Sequence, residues 1–510
     1  MVATNTTKSV VVRYSDFGAK GDGKTDDLNA VVAAHEHANK HNLSVEADTG
    51  ATYFLGGRAN IVKIQTNTSF GNATFIIDDR KVEARGKPVF QIDSTLKKKE
   101  AEGITTMKKG QESLGVTLDQ TSLVITINDE KKQYIRKGNN LNDGASQRDI
   151  LLVDADGRIH PDYPVLWNFD KVTKTTIIPI DPEPLSISGG TFITITNQAP
   201  SKYTYYERGI QILRSNVTID GLTHIIEGEG ETGAPYNGFI VVNNSYNVTI
   251  QNCKLSGRKT YNTIGRAGRP VDMGSYDLSL HSSLQILIQN CIQINDIMDR
   301  SRWGIMASNY CKHVNYDGCT LSRYDAHKGV YNGTIRNSTI GHAGINLIGM
   351  GTFLLENSTV KSSRLLSLRP DYGGTWEGDV IIRNTTFSPI NSGAINLILG
   401  NNTQDHDFGY DCCLPNTVLI ENLMIDDSNL HSKKSPAAFN LFTDFNPKCK
   451  ARDYQGKYPL HLPQQIRAKN VTMKSSGNPV KLNVSSNQAM FHTVKLIDLT
   501  GKGEETNCQK

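Results

Sequence analysis

The six-residue stretch Arg323-Tyr-Asp-Ala-His-Lys328 combines two cations, a phenol, a carboxylate and an imidazole. These groups suit β-elimination, in which a base removes the C5 proton of a uronic acid and the glycosidic oxygen at C4 leaves. A cation beside the sugar carboxylate stabilises the enolate-like intermediate electrostatically. A neutral imidazole can take the proton, and a phenol or an ammonium group can protonate the leaving oxygen. The stretch therefore predicts a site that acts on an acidic sugar.

Each of these residue types has an expected role in that reaction. We assign His327 as the base and either Tyr324 or Lys328 as the acid, while Asp325 orients an arginine or a histidine. Alternation along a strand directs Lys328 away from His327 unless a bulge intervenes at Gly329.

Two arginines, Arg302 and Arg323, are predicted to neutralise the sugar carboxylate.

A second set of residues is predicted to bind the sugar. If the strands of successive repeats are laid in register, Met306, His327 and Asn346 form an outward column and Ala326 and Ile345 point inward. Neighbouring strands lie about 4.8 Å apart, so side chains roughly twenty residues apart in sequence reach one sugar. In a glycine-rich loop, one tyrosine and one tryptophan would form a stacking platform. The predicted binding residues are His281, His342, Asn346, Arg364, Arg369, Tyr372 and Trp376.

A repeated pattern along the chain indicates what holds these residues in place. Ten segments share a short apolar strand that ends in Asn or Gly, as in Ile250-Gln-Asn-Cys253 and Ile288-Gln-Asn-Cys291. Asn and Gly tolerate the left-handed backbone that a tight corner needs. The corner positions are 189, 221, 252, 290, 318, 337, 357, 384, 422 and 470, with the closest 19 and 20 residues apart. This spacing predicts a parallel β-solenoid, an architecture in which each repeat adds core to one continuous body.

Cysteines recur at one position of this repeat. Cys253, Cys291 and Cys319 follow three of the corners. We expect a stack of free, buried cysteines that pack as small apolar residues, rather than disulfides.

The N-terminal segment Tyr14-Ser-Asp-Phe-Gly-Ala-Lys-Gly-Asp-Gly-Lys-Thr-Asp-Asp27 reads as strand, glycine turn and helix cap, and residues 28–38 have helical periodicity. Asp26 or Asp27 is expected to accept hydrogen bonds from the free amides of that helix. The segment resembles the N-terminal cap of the pectate-lyase-like superfamily. The resemblance implies an all-β, right-handed parallel β-helix with a helical cap at its N-terminal end.

The pattern divides the chain into four regions. Residues 1–94 form the cap and the first rungs, and residues 181–470 form the catalytic β-helix. Residues 95–180 interrupt the repeat with charged and strand-like segments, which predicts an inserted β subdomain resting on the N-terminal end of the solenoid. Residues 471–510 are expected to close the C-terminal end.

A second resemblance covers roughly residues 285–390. The segment Gly341-His-Ala-Gly-Ile-Asn-Leu-Ile-Gly-Met-Gly351 is similar to a glycine-rich motif of the polygalacturonase family. Two acidic motifs of that family are altered here, since Ser301-Arg-Trp303 and Tyr324-Asp325 occupy their places. Inverting hydrolysis needs two carboxyl groups about 6.5–9.5 Å apart. Only Asp325 stands in a family position, and Asp299 or Asp371 would have to be recruited as its partner.

Composition limits the partners that we expect. The 510-residue chain has a formal charge of +4 and a pI near 8.4, which suits an acidic polymer better than nucleic acid. The sequence contains no run of 18 apolar residues, so no membrane-spanning helix is predicted. We expect a monomer that is secreted, periplasmic or at the cell surface, with its signal peptide removed.

No cofactor is assigned. Asp405-His-Asp407 resembles a metal triplet but stands isolated in a loop, so no metal ligand is predicted there. Calcium remains an alternative, because some β-helix lyases use it.

The leading hypothesis is a polysaccharide lyase that cleaves an acidic, uronate-containing chain. A general similarity to bacterial β-helix lyases favours a glycosaminoglycan such as chondroitin sulfate or hyaluronan. Two alternatives stay open, a glycoside hydrolase of the polygalacturonase type and a non-catalytic, carbohydrate-binding or tailspike-like β-helix.

Overall fold

The computed structural model describes residues 11–390, 395–429, 439–446, 449, 452 and 454–500. Most of these residues lie in one right-handed parallel β-helix, which confirms the predicted fold class. Within the described ranges, no helix has the length and apolar character needed to cross a membrane.

The structure contains 37 strands and one α-helix in its described part. The helix is α1 (Leu28–His41). The strands are β1 (Val11–Arg13), β2 (Asp22–Asp26), β3 (Ser44–Glu46), β4 (Thr52–Leu55), β5 (Val62–Ile64), β6 (Thr68–Asp78), β7 (Phe90–Ile92), β8 (Lys99–Glu100), β9 (Ser122–Gln133), β10 (Ala145–Val153), β11 (Lys174–Pro179), β12 (Leu185–Ile195), β13 (Ile210–Ile212), β14 (Val217–Asp220), β15 (Thr223–Glu227), β16 (Ile240–Asn243), β17 (Tyr246–Gln251), β18 (Lys254–Leu255), β19 (Tyr261–Ile264), β20 (Pro270–Met273), β21 (Leu278–His281), β22 (Leu284–Gln289), β23 (Ile292–Gln293), β24 (Met306–Asp317), β25 (Thr320–Arg336), β26 (Thr339–Asn346), β27 (Gly349–Glu356), β28 (Thr359–Val360), β29 (Leu366–Ser367), β30 (Trp376–Phe387), β31 (Ile395–Leu399), β32 (Cys412–Cys413), β33 (Thr417–Ile425), β34 (Phe439–Phe442), β35 (Leu460–His461), β36 (Gln465–Met473) and β37 (Lys495–Ile497).

The N-terminal helix covers the first rungs. Its buried face, which includes Leu28, Val31 and Ala38, joins the solenoid core. Of the two predicted capping residues, Asp26 accepts a hydrogen bond from the Leu28 amide (3.1 Å). Asp27 instead accepts bonds from the Lys20 and Gly21 amides (2.7 and 3.0 Å), so it fastens the glycine turn.

Successive rungs pair in parallel and stack like residues. One inward ladder runs from Ile219 through Ile250 and Ile288 to Tyr316, and all four side chains are buried. The predicted corners have the left-handed backbone: φ is 54° at Asn252, and it is likewise positive at the other nine predicted corner positions. Burial of apolar ladders on one side of each strand therefore fixes the register, because a slip by one residue would turn them to solvent.

The corner asparagines predict a measurable contribution to stability. Asn422 has φ = 58° and donates a hydrogen bond to the Asn384 side-chain oxygen (2.8 Å). Asn422→Ala should lower the free energy of unfolding by about 1–3 kcal/mol, because alanine is strained in this conformation and the bond is lost. Urea unfolding followed by circular dichroism measures the change. Asn422→Gly is the matched control, since glycine adopts the backbone freely, and equal losses in both variants would contradict the argument.

The interrupting segment forms a separate four-stranded antiparallel sheet in the order β10-β9-β11-β8. Leu123 and Ile150 pack against Leu284 of the solenoid. The buried Lys312 ammonium pairs with the Asp149 carboxylate at 2.8 Å. The predicted position of this sheet on the N-terminal end of the solenoid is therefore wrong. The sheet lies along the flank of the middle and later rungs, because its apolar face meets theirs there.

The last described rungs carry an aromatic cover. Phe491 is buried and stacks on Phe442 with 5.8 Å between the ring centroids. This contact lies in the region predicted to close the C-terminal end, and residues 501–510 of that region lie outside the described residues.

Cys253, Cys291 and Cys319 are buried and unpaired, as predicted from their place in the repeat.

Candidate functional site

A cleft of about 730 Å³ lies where β25 meets the loop between β9 and β10 of the inserted segment. Its floor carries Arg323, His327, Lys328 and Arg369. Its walls come from the loop around Arg136, from the segment with Tyr203 and Tyr205, and from the β19–β20 hairpin. Five cationic side chains and two carboxylates line the described cleft, so its charge favours an anionic ligand. The cations are Arg136, Arg266, Arg323, Lys328 and Arg369, and the carboxylates are Asp272 and Asp371.

A β-bulge turns two neighbouring residues toward this cleft. Ser308 pairs with Ala326, whereas the next residue, Asn309, pairs with Lys328. His327 is thus the extra residue of the bulge, and it and Lys328 both line the cleft. The bulge lies at His327 and not at Gly329, where the sequence analysis placed it, and it allows the two side chains to face one ligand.

Asp325 lies fully buried beneath His327. It accepts hydrogen bonds from Arg323 Nη2 (2.6 Å) and Arg369 Nη1 (3.2 Å), and its Oδ2 lies 3.5 Å from His327 Nδ1. Burial raises the pKa of the Asp325 carboxyl, but the two guanidinium groups outweigh this effect and hold the pKa well below its usual range. Asp325 is therefore ionised, and it contacts both kinds of group that its predicted orienting role requires.

Asp371 forms the second carboxylate of the floor. Arg369 binds it through two hydrogen bonds (2.9 and 2.8 Å), and Arg136 Nε from the inserted segment adds a third (2.7 Å). Burial raises the pKa of Asp371, whereas Arg369 and Arg136 lower it, and the net pKa is about 2. Both floor carboxylates are thus anions held by arginines.

His327 is partly exposed and neutral. Burial lowers its pKa to about 4, although the hydrogen bond to Asp325 acts in the opposite direction. Two groups compete for Nδ1, the Arg369 Nη1 donor at 3.1 Å and the Asp325 Oδ2 acceptor at 3.5 Å. If the ring donates to Asp325, the proton is on Nδ1 and the lone pair is on Nε2, which lies 3.5 Å from Tyr372 Oη.

Lys328 and His281 complete the titratable groups of the floor. Burial lowers the pKa of Lys328, as do Arg136 and Arg148, and Lys328 has no carboxylate partner in the described part of the chain. His281 Nε2 lies 2.8 Å from Ser279 Oγ, and its Nδ1 lies 3.1 Å from Asn309 Nδ2. Burial lowers the pKa of His281 to about 4.

The structure contradicts two predicted sugar contacts and the predicted stacking platform. Tyr324 points into the solenoid core, where its hydroxyl donates to the Val314 carbonyl (3.0 Å), so the prediction of Tyr324 as the acid is wrong. Trp376 is also a core residue, and its indole N–H donates to the Gly351 carbonyl (3.0 Å). Tyr372 lines the cleft, where its hydroxyl lies 3.5 Å from His327 Nε2, but the residue is 0% exposed and offers no ring surface for stacking. Tyr324 and Trp376 bury more apolar surface inside the solenoid than they could on its face.

Four other predicted residues lie away from the described cleft. Arg302 does not line the cleft, unlike Arg323 and Arg369, and it is bound to Glu229 (3.0 Å) and Asp299 (3.2 Å). His342, Arg364 and Asn346 do not line the cleft either. The register explains part of this error. The prediction placed His327 beside Asn346 on neighbouring strands, whereas in the structure Asp325 pairs with Asn346. Met306, predicted to face outward, is buried in the core for the same reason.

Several cleft residues were missed by the sequence analysis. Arg136 is 235 residues from Asp371 in the chain, and no local pattern indicates that contact. Trp303 lines the cleft, and its ring centroid lies 5.0 Å from the Arg323 guanidinium carbon. Tyr205, Tyr276 and Asn309 also line the cleft.

No cluster of three or more His, Cys, Asp or Glu side chains suited to a metal ion occurs among the residues that the structure describes. In the Asp405-His-Asp407 triplet, Asp405 binds Lys137 and Thr403, and His406 Nε2 lies 3.2 Å from the Ile135 carbonyl.

Comparison with solved structures places the chain among right-handed parallel β-helices. It is similar to the tailspike gp61 of Pseudomonas phage phi297, with 14% identity, a TM-score of 0.56 and coverage of 95% of this chain and 83% of that one. The tailspike gp49 of Pseudomonas phage LKA1 is 14% identical, with a TM-score of 0.55 and coverage of 95% of this chain and 84% of that one. The Gp54 tailspike of Acinetobacter baumannii bacteriophage AP22, solved in complex with capsular saccharide, is 9% identical. Its TM-score is 0.50, and the match covers 95% of this chain and 79% of that one. Identities this low establish a shared fold.

Comparisons of sequence add no family. No family model matches the chain, and no curated protein matches it.

Proposed function

We propose that this protein is a polysaccharide lyase that cleaves an acidic, uronate-containing chain by β-elimination in the cleft. One observation carries the proposal: His327 stands beside Lys328, which has no carboxylate partner among the described residues, on a floor whose two carboxylates are held by arginines. The floor thus offers a base, a proton donor and positive charge together.

The roles follow from these contacts. Arg323 and Arg369, rather than Arg302, neutralise the sugar carboxylate and stabilise the enolate-like intermediate. In the substrate complex, Arg369 Nη1 leaves His327 Nδ1 for the sugar carboxylate and Nδ1 donates its proton to Asp325, so that the Nε2 lone pair takes the C5 proton. The electron pair of the C5–H bond then forms the C4–C5 double bond, the C4–O bond breaks, and Lys328 protonates the departing oxygen.

The same floor is unsuited to inverting hydrolysis. That reaction needs a carboxylic acid that keeps its proton near neutral pH, which requires a raised pKa. The pKa values of Asp325 and Asp371 are both lowered, and Arg369 contacts both groups. Asp299 has a lowered pKa and lies outside the cleft.

The substrate class follows from the charge of the cleft. The excess of cations over carboxylates supports an acidic polymer, and a glycosaminoglycan such as chondroitin sulfate or hyaluronan is our first choice. We propose a monomer, secreted or at the cell surface, in which residues 181–470 carry catalysis and residues 95–180 supply a cleft wall through Arg136.

A tailspike-like protein is the second candidate, favoured by the structural similarity to phage tailspikes. In that case the polymer would be a bacterial surface polysaccharide, and the protein would bind it or hydrolyse it.

Ultraviolet absorbance of the conjugated double bond tests the proposal. The purified protein is incubated with chondroitin sulfates, hyaluronan, heparin, polygalacturonate, alginate and acidic bacterial capsular polysaccharides, each with and without a chelator. Rising absorbance on one polymer is the expected result. New reducing ends without absorbance would indicate hydrolysis, and no change in either signal would favour a binding protein.

The low pKa of His327 predicts an unusual pH profile. Because His327 must be neutral to act as base, kcat/KM should stay high as pH falls past 6.5 and decline only near pH 4. Burial lowers the pKa of Lys328, so the alkaline decline should begin below pH 10.5. The Lys328→Gln variant, which is slower, should lose the alkaline decline and keep the acid one. An acid decline centred at 6.5 would contradict the assignment.

A further inference from the structure

A second groove, of about 920 Å³, lies between the inserted sheet and loops of the solenoid. One wall comes from β9, β10 and the segment around Trp167. The opposite wall comes from the solenoid loops around Tyr410 and Tyr458. The groove is lined by Lys109, Lys131, Lys132, Gln133, Gln147, Leu166, Trp167, Asn168, Glu377, Asp407, Gly409, Tyr410, Asp411, Cys413, Tyr458, Pro459 and His461.

A wall of tyrosines separates this groove from the catalytic cleft. Tyr372 lines the cleft and Tyr410 lines the groove, and the Tyr410 hydroxyl donates to the Tyr372 carbonyl at 2.8 Å. Tyr134 packs against both, with 6.4 Å and 5.2 Å between ring centroids. The two cavities thus lie on opposite sides of one layer of packed tyrosines.

The lining of the groove has the composition of a sugar site. The partly exposed Trp167 and Tyr410 rings lie 6.0 Å apart at 37°, which presents aromatic surface to a ligand. Carboxamides surround it: Gln133 and Gln147 are each 1% exposed, and neither Oε1 has a hydrogen-bond partner in the described structure. A buried amide oxygen without a partner is costly, so it favours a ligand or a shift that satisfies it.

Two lysines at the edge of the groove can bind acidic groups of a ligand. Lys131 and Lys132 are exposed at its edge, and neither pairs with a carboxylate within the described ranges. The groove is also lined by three carboxylates: Glu377 is bound by Lys109, Asp411 lies 3.7 Å from His461, and Asp407 accepts a hydrogen bond from the Gly409 amide (2.7 Å). Lys131 and Lys132 are thus the lining cations that are left to bind acidic groups of a polymer crossing this edge.

We propose that this groove is a non-catalytic binding site for a second stretch of the same acidic polysaccharide. The identity of the ligand rests on the proposed function, whereas the presence of a glycan site rests on the groove itself. A chain held at both places is retained at a high effective concentration near the cleft.

The three tryptophans of the chain allow the two cavities to be observed separately. Trp167 lies in the groove, Trp303 in the cleft and Trp376 in the core. In Trp303→Phe protein, emission reports on the groove, and in Trp167→Phe protein it reports on the cleft. Both carry His327→Ala so that the chains stay intact during titration with hyaluronan, chondroitin sulfate, polygalacturonate and alginate.

We expect at least one polymer to change the emission of the Trp303→Phe protein. Replacing both Lys131 and Lys132 with Ser should weaken that response roughly five- to tenfold. In the active protein, the same double substitution should raise KM for long chains several-fold, increasingly with chain length, with little effect on kcat. The proposal that the groove binds the polysaccharide would be contradicted by a response from Trp303 alone, by a response from neither tryptophan, or by an unchanged KM.

The failure of this inference differs from failure of the proposed function. If Trp167 responds to a polymer but no polymer yields an unsaturated product, the groove stands and the lyase does not. If unsaturated product forms while Trp167 stays silent, the lyase stands and the groove does not.

Discussion

His327→Ala should lower kcat by about 10²- to 10⁴-fold, the loss expected when a general base is removed. The expectation rests on position, because the bulge presents His327 to the cleft beside Lys328, with Asp325 behind its Nδ1. The His327 side chain is 22% exposed and the imidazole is uncharged near neutral pH, so its removal leaves no buried charge without a partner and should leave the fold intact. Initial rates of absorbance increase on the preferred polymer measure the effect.

His281→Ala is the matched control for this variant. His281 lies in the same cleft, and its pKa is also lowered to about 4, but Ser279 and Asn309 occupy its two ring nitrogens. We expect mainly a higher KM. Added imidazole should restore part of the rate to His327→Ala and none to His281→Ala. A His327→Ala enzyme within a few-fold of the original kcat would refute the assignment of the base.

Asp325→Ala should have the largest effect on stability of any change in the cleft, about 3–5 kcal/mol. It removes the carboxylate that Arg323 and Arg369 share, and Arg323 would then remain buried without the carboxylate that it now binds. The variant should also be nearly inactive, since nothing then holds the His327 proton on Nδ1. Urea unfolding and initial rates give the two numbers.

Asp371→Ala provides the comparison for Asp325→Ala. Its side chain is 26% exposed, and Arg369 would still have Asp325, so the loss of stability should be smaller. Asp325→Asn should fall between the two in stability, because the amide oxygen can still accept from one arginine. If Asp325→Ala unfolds at the same urea concentration as the unaltered protein, the buried charge network does not contribute as argued.

The fold was predictable because its signals are local. The sequence of each rung contains the residue that forms its corner, and Asn252, Asn290 and Asn337 all have the left-handed backbone predicted for them. The same locality makes the inward ladders readable, since the apolar residues of Val248-Thr-Ile250 alternate with period two.

The site was less predictable because it depends on register and on distant contacts. The residue types of the six-residue stretch 323–328 identified where the cleft lies, yet Tyr324 turned out to be a core residue. A bulge of one residue at His327 moves every later neighbour by one position, and its location depends on packing with the adjacent rung. Arg136 comes from another sheet altogether, so only the folded chain shows its contact with Asp371.

The most direct test of the central claim is the mass of the products. Elimination creates the new non-reducing end as an unsaturated sugar, so that fragment is lighter by one water than the fragment from hydrolysis. The enzyme is allowed to cleave its preferred polymer in heavy-oxygen water, and the fragments are analysed by mass spectrometry. We predict unsaturated fragments with no heavy oxygen introduced by the cleavage. Saturated fragments with heavy oxygen at the new reducing end would show hydrolysis and contradict the account.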